Sequence, residues 1–466
     1  MKKSLLSLTA LTAAVILLAV SVCSCGEKAD TGASVSSSGT AVNSTVSADT
    51  QLSSNYTSAE VGSSSLADSS KTGVSSASGT SSTNSSASPS SAISSKPTVV
   101  SKQQVSSGTV STVSSKPTVS SEKPAVKTLT PLSNSNYYGR TYLSGKSNGK
   151  ALVLAYDRIV AGVANMDKSI NLNDASNRIK KSEIGEVYAA YFSDYPQHFW
   201  VTNGYAYSYM GDYVMTVEPT YTGISKSQLS SAKDKFSAAV TRLLTGISGS
   251  SSEYDRELAI HNRLAAACKY ASSTNCHTAY GALVDGTAVC EGYARAFQYL
   301  CYQAGIQCLF ITGSSNNPST GSPEPHAWNA VKIGGSYYHM DMTWDDADNS
   351  DGGILHYAYF NVTTSQIKED HAIGTSGYPA PNCTATKYNY FVKNGTVVST
   401  YTVDSVAKLL KASGNRTLRV YVTSDYNSFV NWMRNNYQAV AKSTGITKIK
   451  GYAYASLGRE LYFEIK

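Results

Sequence analysis

Gly286-Thr287-Ala288-Val289-Cys290-Glu291-Gly292-Tyr293-Ala294-Arg295-Ala296-Phe297 places a cysteine at the start of an amphipathic helix. After Cys290, the apolar residues Ala294, Phe297, Leu300, Cys301 and Ala304 fall on one helical face, and Gly305 marks the stop. At a helix start, unpaired backbone N–H groups and the positive end of the dipole favour a thiolate, the form that attacks a carbonyl. The same N–H groups can stabilise the oxyanion that develops. A cysteine alone says little, because most are small buried hydrophobes. Cys301 on the apolar face, and Cys308 in the buried-strand pattern Gln307-Cys308-Leu309-Phe310-Ile311, read that way.

A second segment changes the reading: His326-Ala327-Trp328-Asn329-Ala330-Val331-Lys332-Ile333-Gly334-Gly335-Ser336-Tyr337-Tyr338-His339-Met340-Asp341-Met342-Thr343-Trp344. Two alternating strands flank Gly334-Gly335, a two-residue hairpin signal. If Ile333 faces Ser336, His326 faces Thr343 and Trp328 faces Asp341. Residues 326, 328, 341 and 343 then share one face, with Asp341 the diagonal neighbour of His326, about 7–8 Å away along the backbone. An aspartate so placed fixes the imidazole tautomer while the other ring nitrogen faces a thiol. His339 is the rival base. His326 is preferred because it follows a Gly/Ser/Pro-rich loop over 313–325, open to substrate, whereas His339 lies within its strand.

Val289-Cys290-Glu291-Gly292-Tyr293-Ala294, His326-Ala327-Trp328-Asn329 and Tyr338-His339-Met340-Asp341-Met342-Thr343-Trp344 together resemble the three signature blocks of the transglutaminase-like superfamily. More narrowly, they resemble bacterial surface members related to cytokinesis-type and kyphoscoliosis-type proteins. The resemblance covers residues 253–370. It implies Cys290 as nucleophile, His326 as base and acid, Asp341 as orienting carboxylate, and a papain-like α+β fold with the cysteine helix on an antiparallel sheet. The family's further oxyanion donor lies shortly before the cysteine, where Tyr280 is the candidate, with packing aromatic as its other reading. Animal-type members use calcium, and residues 345–352 are acidic, but their glycine is misplaced for an EF-hand and they read as a solvated loop. With no C-x-x-C and no closely spaced histidine pair, no metal and no cofactor is expected.

Around this catalytic part, 248–380, the chain divides into a signal peptide (1–25), a Ser/Thr-rich disordered linker (26–131), an N-terminal α+β domain (132–247) and a C-terminal α/β module (381–466). In the N-terminal domain, helical spacing covers 150–163 and 182–192. Strands are expected at Phe199-Trp200-Val201 and 213–217, then a helix to Leu244 capped by Ser225 with Gln228 three residues on. Trp200 and the tyrosines read as core positions before sugar-binding ones. A helix opens the catalytic part at Glu253. The C-terminal module alternates a strand over 390–400 broken by Asn394-Gly395, a helix, a strand, a helix and a final hairpin over 449–465.

Met1-Lys2-Lys3 and an apolar run over 5–22 have the layout of an export signal. Ser24-Cys25-Gly26 resembles a bacterial lipoprotein cleavage box, which favours Cys25 over Cys23 for lipidation and a place on the extracellular face of the membrane; an ordinary cleaved signal peptide and an uncleaved membrane anchor are the alternatives, and all three readings put the remainder outside the cytoplasm. The linker lacks the aromatic and large aliphatic residues that would offset the entropy of ordering it, so it reads as a tether. The net charge is +7, but only 15% of residues are charged and no basic block occurs, which argues against nucleic acid. Of the six cysteines in the head, Cys268 and Cys276 are the closest candidates for a disulfide, though no framework spacing appears.

The expected function is a lipid-anchored, monomeric thiol acyl-transfer enzyme acting on protein or cell-wall peptide amides. Peptidase or amidase chemistry is favoured slightly over transglutaminase-type cross-linking. A non-catalytic wall-binding module, and adhesion through the tyrosine-rich first part, are the alternatives from other classes.

Overall fold

Apolar residues at helical spacing set the first helices of the N-terminal part. In the computed structural model, which describes residues 58–62 (backbone alone), 127–316, 321–346, 353–374, 378–414 and 416–466, α1 (Tyr138–Ser144), α2 (Gly149–Ala164) and α3 (Ile184–Asp194) pack together. Leu152, Ala155, Tyr156, Ile159 and Val163 form the buried face of α2, at the expected spacing. Beside them, β1 (Ser58–Gly62), β2 (Ile170–Asn171), β3 (Val201–Met210) and β4 (Tyr213–Tyr221) make a sheet in the order β1-β3-β4-β2. β1 falls within the stretch read as a tether and pairs in parallel with β3, whose edge would otherwise present unpaired N–H and C=O groups. The signal region, with Cys23 and Cys25, and the linker up to 126 apart from β1 lie outside the described residues.

The strand expected at Phe199-Trp200-Val201 begins only at Val201. Phe199 and Trp200 are buried in the preceding turn, where the Trp200 Nε1–H donates to the Val163 carbonyl at 3.0 Å. Its polar edge is thereby used inside the core. The reciprocal cap of α4 (Lys226–Leu244) forms as expected, with Gln228 Oε1 accepting from the Ser225 N–H at 3.0 Å. Ser252 then caps α5 (Glu253–Ala267) by accepting from the Asp255 N–H.

A short parallel ladder of β5 (Lys269–Tyr270) and β6 (Thr287–Ala288) delivers the chain to α6 (Cys290–Gln303), which Gly305 ends at φ 75°. α6 lies on an antiparallel sheet of β7 (Cys308–Asn316), β8 (Pro323–Ile333), β9 (Ser336–Met340) and β10 (His371–Ile373), in the order β10-β7-β8-β9. The expected hairpin register holds, with Ile333 opposite Ser336 and Asn329 opposite Met340.

Two boundaries differ from expectation. Both ends of the loop expected over 313–325 are strand: β7 continues to Asn316 and β8 starts at Pro323, so His326 faces Gly313 within the ladder; residues 317–320 lie outside the described residues. Prolines are tolerated in the opening residues of a strand, which is why loop-like composition misleads here. The second hairpin strand, expected through Trp344, stops at Met340, because Asp341 caps a short helix, α7 (Met342–Asp345).

One apolar core runs from Tyr137 to Tyr378, with Tyr156, Tyr188, Tyr191, Tyr293 and Tyr302 among its largest fully buried side chains. After α8 (Thr364–Ile367) and β10, the C-terminal module builds a second core from Val398 to Ile465. The strand expected over 390–400 is instead a short helix, α9 (Tyr390–Asn394), and a two-residue strand, β11 (Val397–Val398). Asn389 accepts from the Phe391 and Val392 N–H groups to start α9, and Gly395 ends it at φ 66°. Thereafter α10 (Val403–Ala412), β12 (Thr417–Val422), α11 (Tyr426–Ser443), β13 (Tyr452–Leu457) and β14 (Glu460–Ile465) follow the expected alternation. Among the described residues, no helix is long and apolar enough to cross a membrane.

Candidate active site

Cys290 is buried as the first residue of α6. Val289 before it is extended, and its N–H donates to the Cys276 carbonyl at 3.1 Å. Gly292 makes this approach feasible, since a Cβ there would stand 2.2 Å from the Cys276 oxygen. Two other cysteines are poor nucleophiles. Burial, followed by the neighbouring Cys308, pushes the Cys301 thiol far up, and burial pushes Cys383 up to about 12. Cys268 and Cys276, the candidate disulfide pair, are both buried thiols.

The second turn of α6 sits beside the histidine strand. Ala294 packs with Ala327 and Phe310, and Asn329 donates to the Ala294 carbonyl at 3.0 Å. Tyr293 donates to Asp346 at 2.7 Å, so the helix start is also tied to the far end of α7. β8 carries His326 and the α7 cap is Asp341, and both elements pack on α6 beside its first two turns.

His326 Nε2 lies 2.6 Å from Asp341 Oδ2, and both side chains are buried. The expectation of an open position is corrected here. His326 is only 5% exposed, and Trp328, Trp344 and His371 surround its ring at 5.3–6.1 Å. Burial opposes ionisation of Asp341, but the charge and hydrogen bond of His326 and the hydrogen bond of His371 outweigh it. The carboxyl is held well below the usual carboxylate range. An ionised carboxylate only accepts, so Nε2 carries the proton and Nδ1 is the basic nitrogen of a neutral His326. The other oxygen, Oδ1, accepts from the Thr343 and Trp344 N–H groups at 2.9 and 3.2 Å.

The sequence reading missed His371. Its Nε2 lies 3.1 Å from Asp341 Oδ2 and its Nδ1 2.5 Å from Asp370 Oδ1, while the Tyr359 hydroxyl donates to the other oxygen of Asp370. β10 reaches the site by pairing with β7, where Gly313 lets it close in: a Cβ at 313 would stand 2.0 Å from the Ala372 oxygen. His371 sits in a three-residue strand, too short for any periodicity to mark it. The ligand atoms of His326, Asp341 and His371 lie within 4.8 Å of one another, a donor set of the kind transition metals use. The hydrogen bonds that Asp341 Oδ2 makes to both rings account for that closeness.

Three other expectations can be placed. His339 is fully buried, with Nδ1 accepting from Trp328 Nε1 at 3.2 Å and Nε2 at 3.0 Å from the Thr364 hydroxyl. Burial lowers its pKa to about 4, so it stays neutral. Tyr280 packs against Phe199, ring centres 4.7 Å apart. The solvated reading of the acidic stretch fails at Asp345, which is fully buried, with His261 Nε2 3.2 Å away and the Tyr359 N–H bonded at 2.9 Å. The helix that Asp341 starts turns Asp345 inward; residues 347–352 lie outside the described residues.

Residues 241–342 match the model of the transglutaminase-like superfamily. They form a transglutaminase-like domain. Kyphoscoliosis peptidase of Mus musculus is 32% identical over 93 residues, and that of Homo sapiens 38%. Each alignment covers 18% of this chain and 14% of the relative, so the chain spans a small part of the curated relatives it matches. Among solved structures, a TGase is 14% identical with a TM-score of 0.22, over 30% of this chain and 44% of that one. A Cytophaga hutchinsonii protein assigned as a cysteine protease is 20% identical with a TM-score of 0.20, over 28% and 52%. The transglutaminase-like domain includes Cys290, His326 and Asp341; His371 lies beyond the matched span.

Proposed function

We propose that this chain is an extracellular thiol acyl-transfer enzyme that hydrolyses peptide or protein amide bonds. The observation that carries the reading is the buried 2.6 Å contact of His326 with Asp341 beside the N-terminus of the Cys290 helix. Cys290 gives its proton to His326 Nδ1 and attacks the amide carbon, and the oxyanion is met by the helix-start N–H groups. Tyr280 is the candidate for a further donor. The C–N bond then breaks, the departing amine takes the proton from His326, and a thioester remains on Cys290. Water, deprotonated by His326, releases the acid and restores the thiol.

Asp341 keeps Nε2 protonated and the ring in place throughout. The peptidase name of the curated relatives supports hydrolysis; the family model equally supports transfer of the thioester to an amine, the second reading. Lipidation at Cys25 and a protein or wall-peptide substrate complete the proposal.

The test uses the full chain and Cys290→Ala. Each is treated with iodoacetamide near neutral pH, then assayed for peptide hydrolysis and for incorporation of a labelled amine into protein. Cys290-dependent alkylation with hydrolysis is expected. Labelling no faster at Cys290 than at Cys301 or Cys308 would remove the enzyme reading, and incorporation without hydrolysis would replace it with cross-linking.

A further inference from the structure

His371 is placed between two carboxylates. Its Nε2 faces Asp341 Oδ2 at 3.1 Å and its Nδ1 faces Asp370 Oδ1 at 2.5 Å. Ionised carboxylates cannot donate, so a histidine that satisfies both must carry protons on both nitrogens. The ring is then a buried cation, paired on each side.

We propose that His371 is a positioning residue for Asp341: as an imidazolium bridging Asp341 and Asp370, it anchors the carboxylate oxygen that His326 uses and limits how basic His326 becomes. This rests on the assignment of Cys290, His326 and Asp341 above.

Oδ2 of Asp341 is the atom that His326 needs, and His371 is its second donor, so the oxygen is held from two directions while Oδ1 is held by the start of α7. Asp370 is fixed in turn by the Tyr359 hydroxyl. The charges follow from counting. With His371 protonated, Asp341, His371 and Asp370 sum to one negative charge beside His326; without it they sum to two.

The groups that face His371 are Asp341 from the α7 cap, His326 and Trp328 from β8, Trp344 from α7, Tyr359 from the segment before α8, and Asp370, the residue just before β10. His339 on β9 is a further neighbour through its charge interaction with His371, and is neutral. Burial favours the neutral ring of His371, but the bonds to Asp341 and Asp370 outweigh it and raise its pKa. Removing the cation leaves more negative charge around His326. That favours the His326 imidazolium, which cannot take the Cys290 proton, so the acid limb of activity should move up, not down.

The test compares the full wild-type chain with His371→Gln, which keeps a neutral donor, His371→Ala and Asp370→Asn. Peptide hydrolysis and the rate of Cys290 alkylation are followed against pH, and thermal melting checks folding. For His371→Gln, kcat should fall about tenfold to a hundredfold with KM little changed, and the acid limb should rise by about one pH unit. Asp370→Asn should move the limb in the opposite direction.

A folded His371→Gln chain with the wild-type limb and kcat would overturn the proposal and leave the triad standing. Loss of melting stability in His371→Ala with an unmoved limb in His371→Gln would make His371 a structural residue only. Cys290 alkylation no faster in the wild type than in Cys290→Ala would remove the triad reading and this proposal with it.

Discussion

Asp341 is one side chain with two structural tasks. Oδ1 starts α7 by accepting two backbone N–H groups, and Oδ2 receives His326 and His371. Asparagine would keep the size but place an NH2 where one set of donors now points. Asp341→Asn should therefore lower kcat by about 10³–10⁴-fold with the fold retained, as when a triad histidine takes the wrong tautomer. Steady-state hydrolysis with a circular dichroism control checks it.

Glu257 gives a second prediction at this scale. It is fully buried, Asn361 donates to it at 2.8 Å, and burial pushes its pKa up to about 8 despite that bond. Its folded pKa stands above an unfolded value of about 4.3. The fold thus carries no penalty from Glu257 at pH below about 4, and loses stability as pH rises from there through about 8, when the buried group ionises. Glu257→Gln should melt higher than the wild type at pH 8.5, by an amount on the order of a few kcal/mol, with only a small gap at pH 5. Equal melting curves at pH 8.5 would count against it.

At the scale of elements, what was legible in the sequence is what short-range rules encode. The Ser225–Gln228 cap, the helix face after Cys290 and the Gly334-Gly335 register all depend on residues within a few positions of one another. The register alone puts His326 and Asp341 in neighbouring places. What the sequence hid is pairing across distance. β10 reaches β7 over more than 50 residues and owes its position to a backbone gap at Gly313. Asp341 also looked like one more strand residue, because its role as a cap appears only once its carboxylate meets the two N–H groups that follow.

Gly313→Ala tests the closeness of β10 and β7. With a Cβ directed at the Ala372 carbonyl, 2.0 Å away, the variant should lose several degrees of melting temperature and lose hydrolysis more than peptide binding, since β10 carries His371. Differential scanning calorimetry and a kcat against KM comparison read both effects.

At the scale of the whole molecule, the C-terminal module is joined to the transglutaminase-like part by buried charge. Glu460 at the start of β14 is fully buried, accepts from Arg419 at 2.6 Å and from the Tyr357 N–H at 2.8 Å, and has His356 Nδ1 3.4 Å away. Removing one member of such a group strands the others. Glu460→Ala should destabilise the chain by about 3–5 kcal/mol, detected as a lower denaturant midpoint and faster cleavage between the two parts by a dilute protease. The Tyr-rich first part, read as an adhesion candidate, has many of its rings inside the core instead: Tyr156, Tyr188 and Tyr191 are fully buried.

Those rings have an optical consequence. Burial raises the pKa of Tyr156, Tyr188, Tyr191 and Tyr302 far above the ordinary phenol value. In mild alkali only the surface phenols should turn to phenolate, and the ultraviolet absorbance should stop at a plateau well short of the 33 tyrosines in the chain. A second, abrupt rise at higher pH would then time the opening of the core, giving a label-free clock for unfolding.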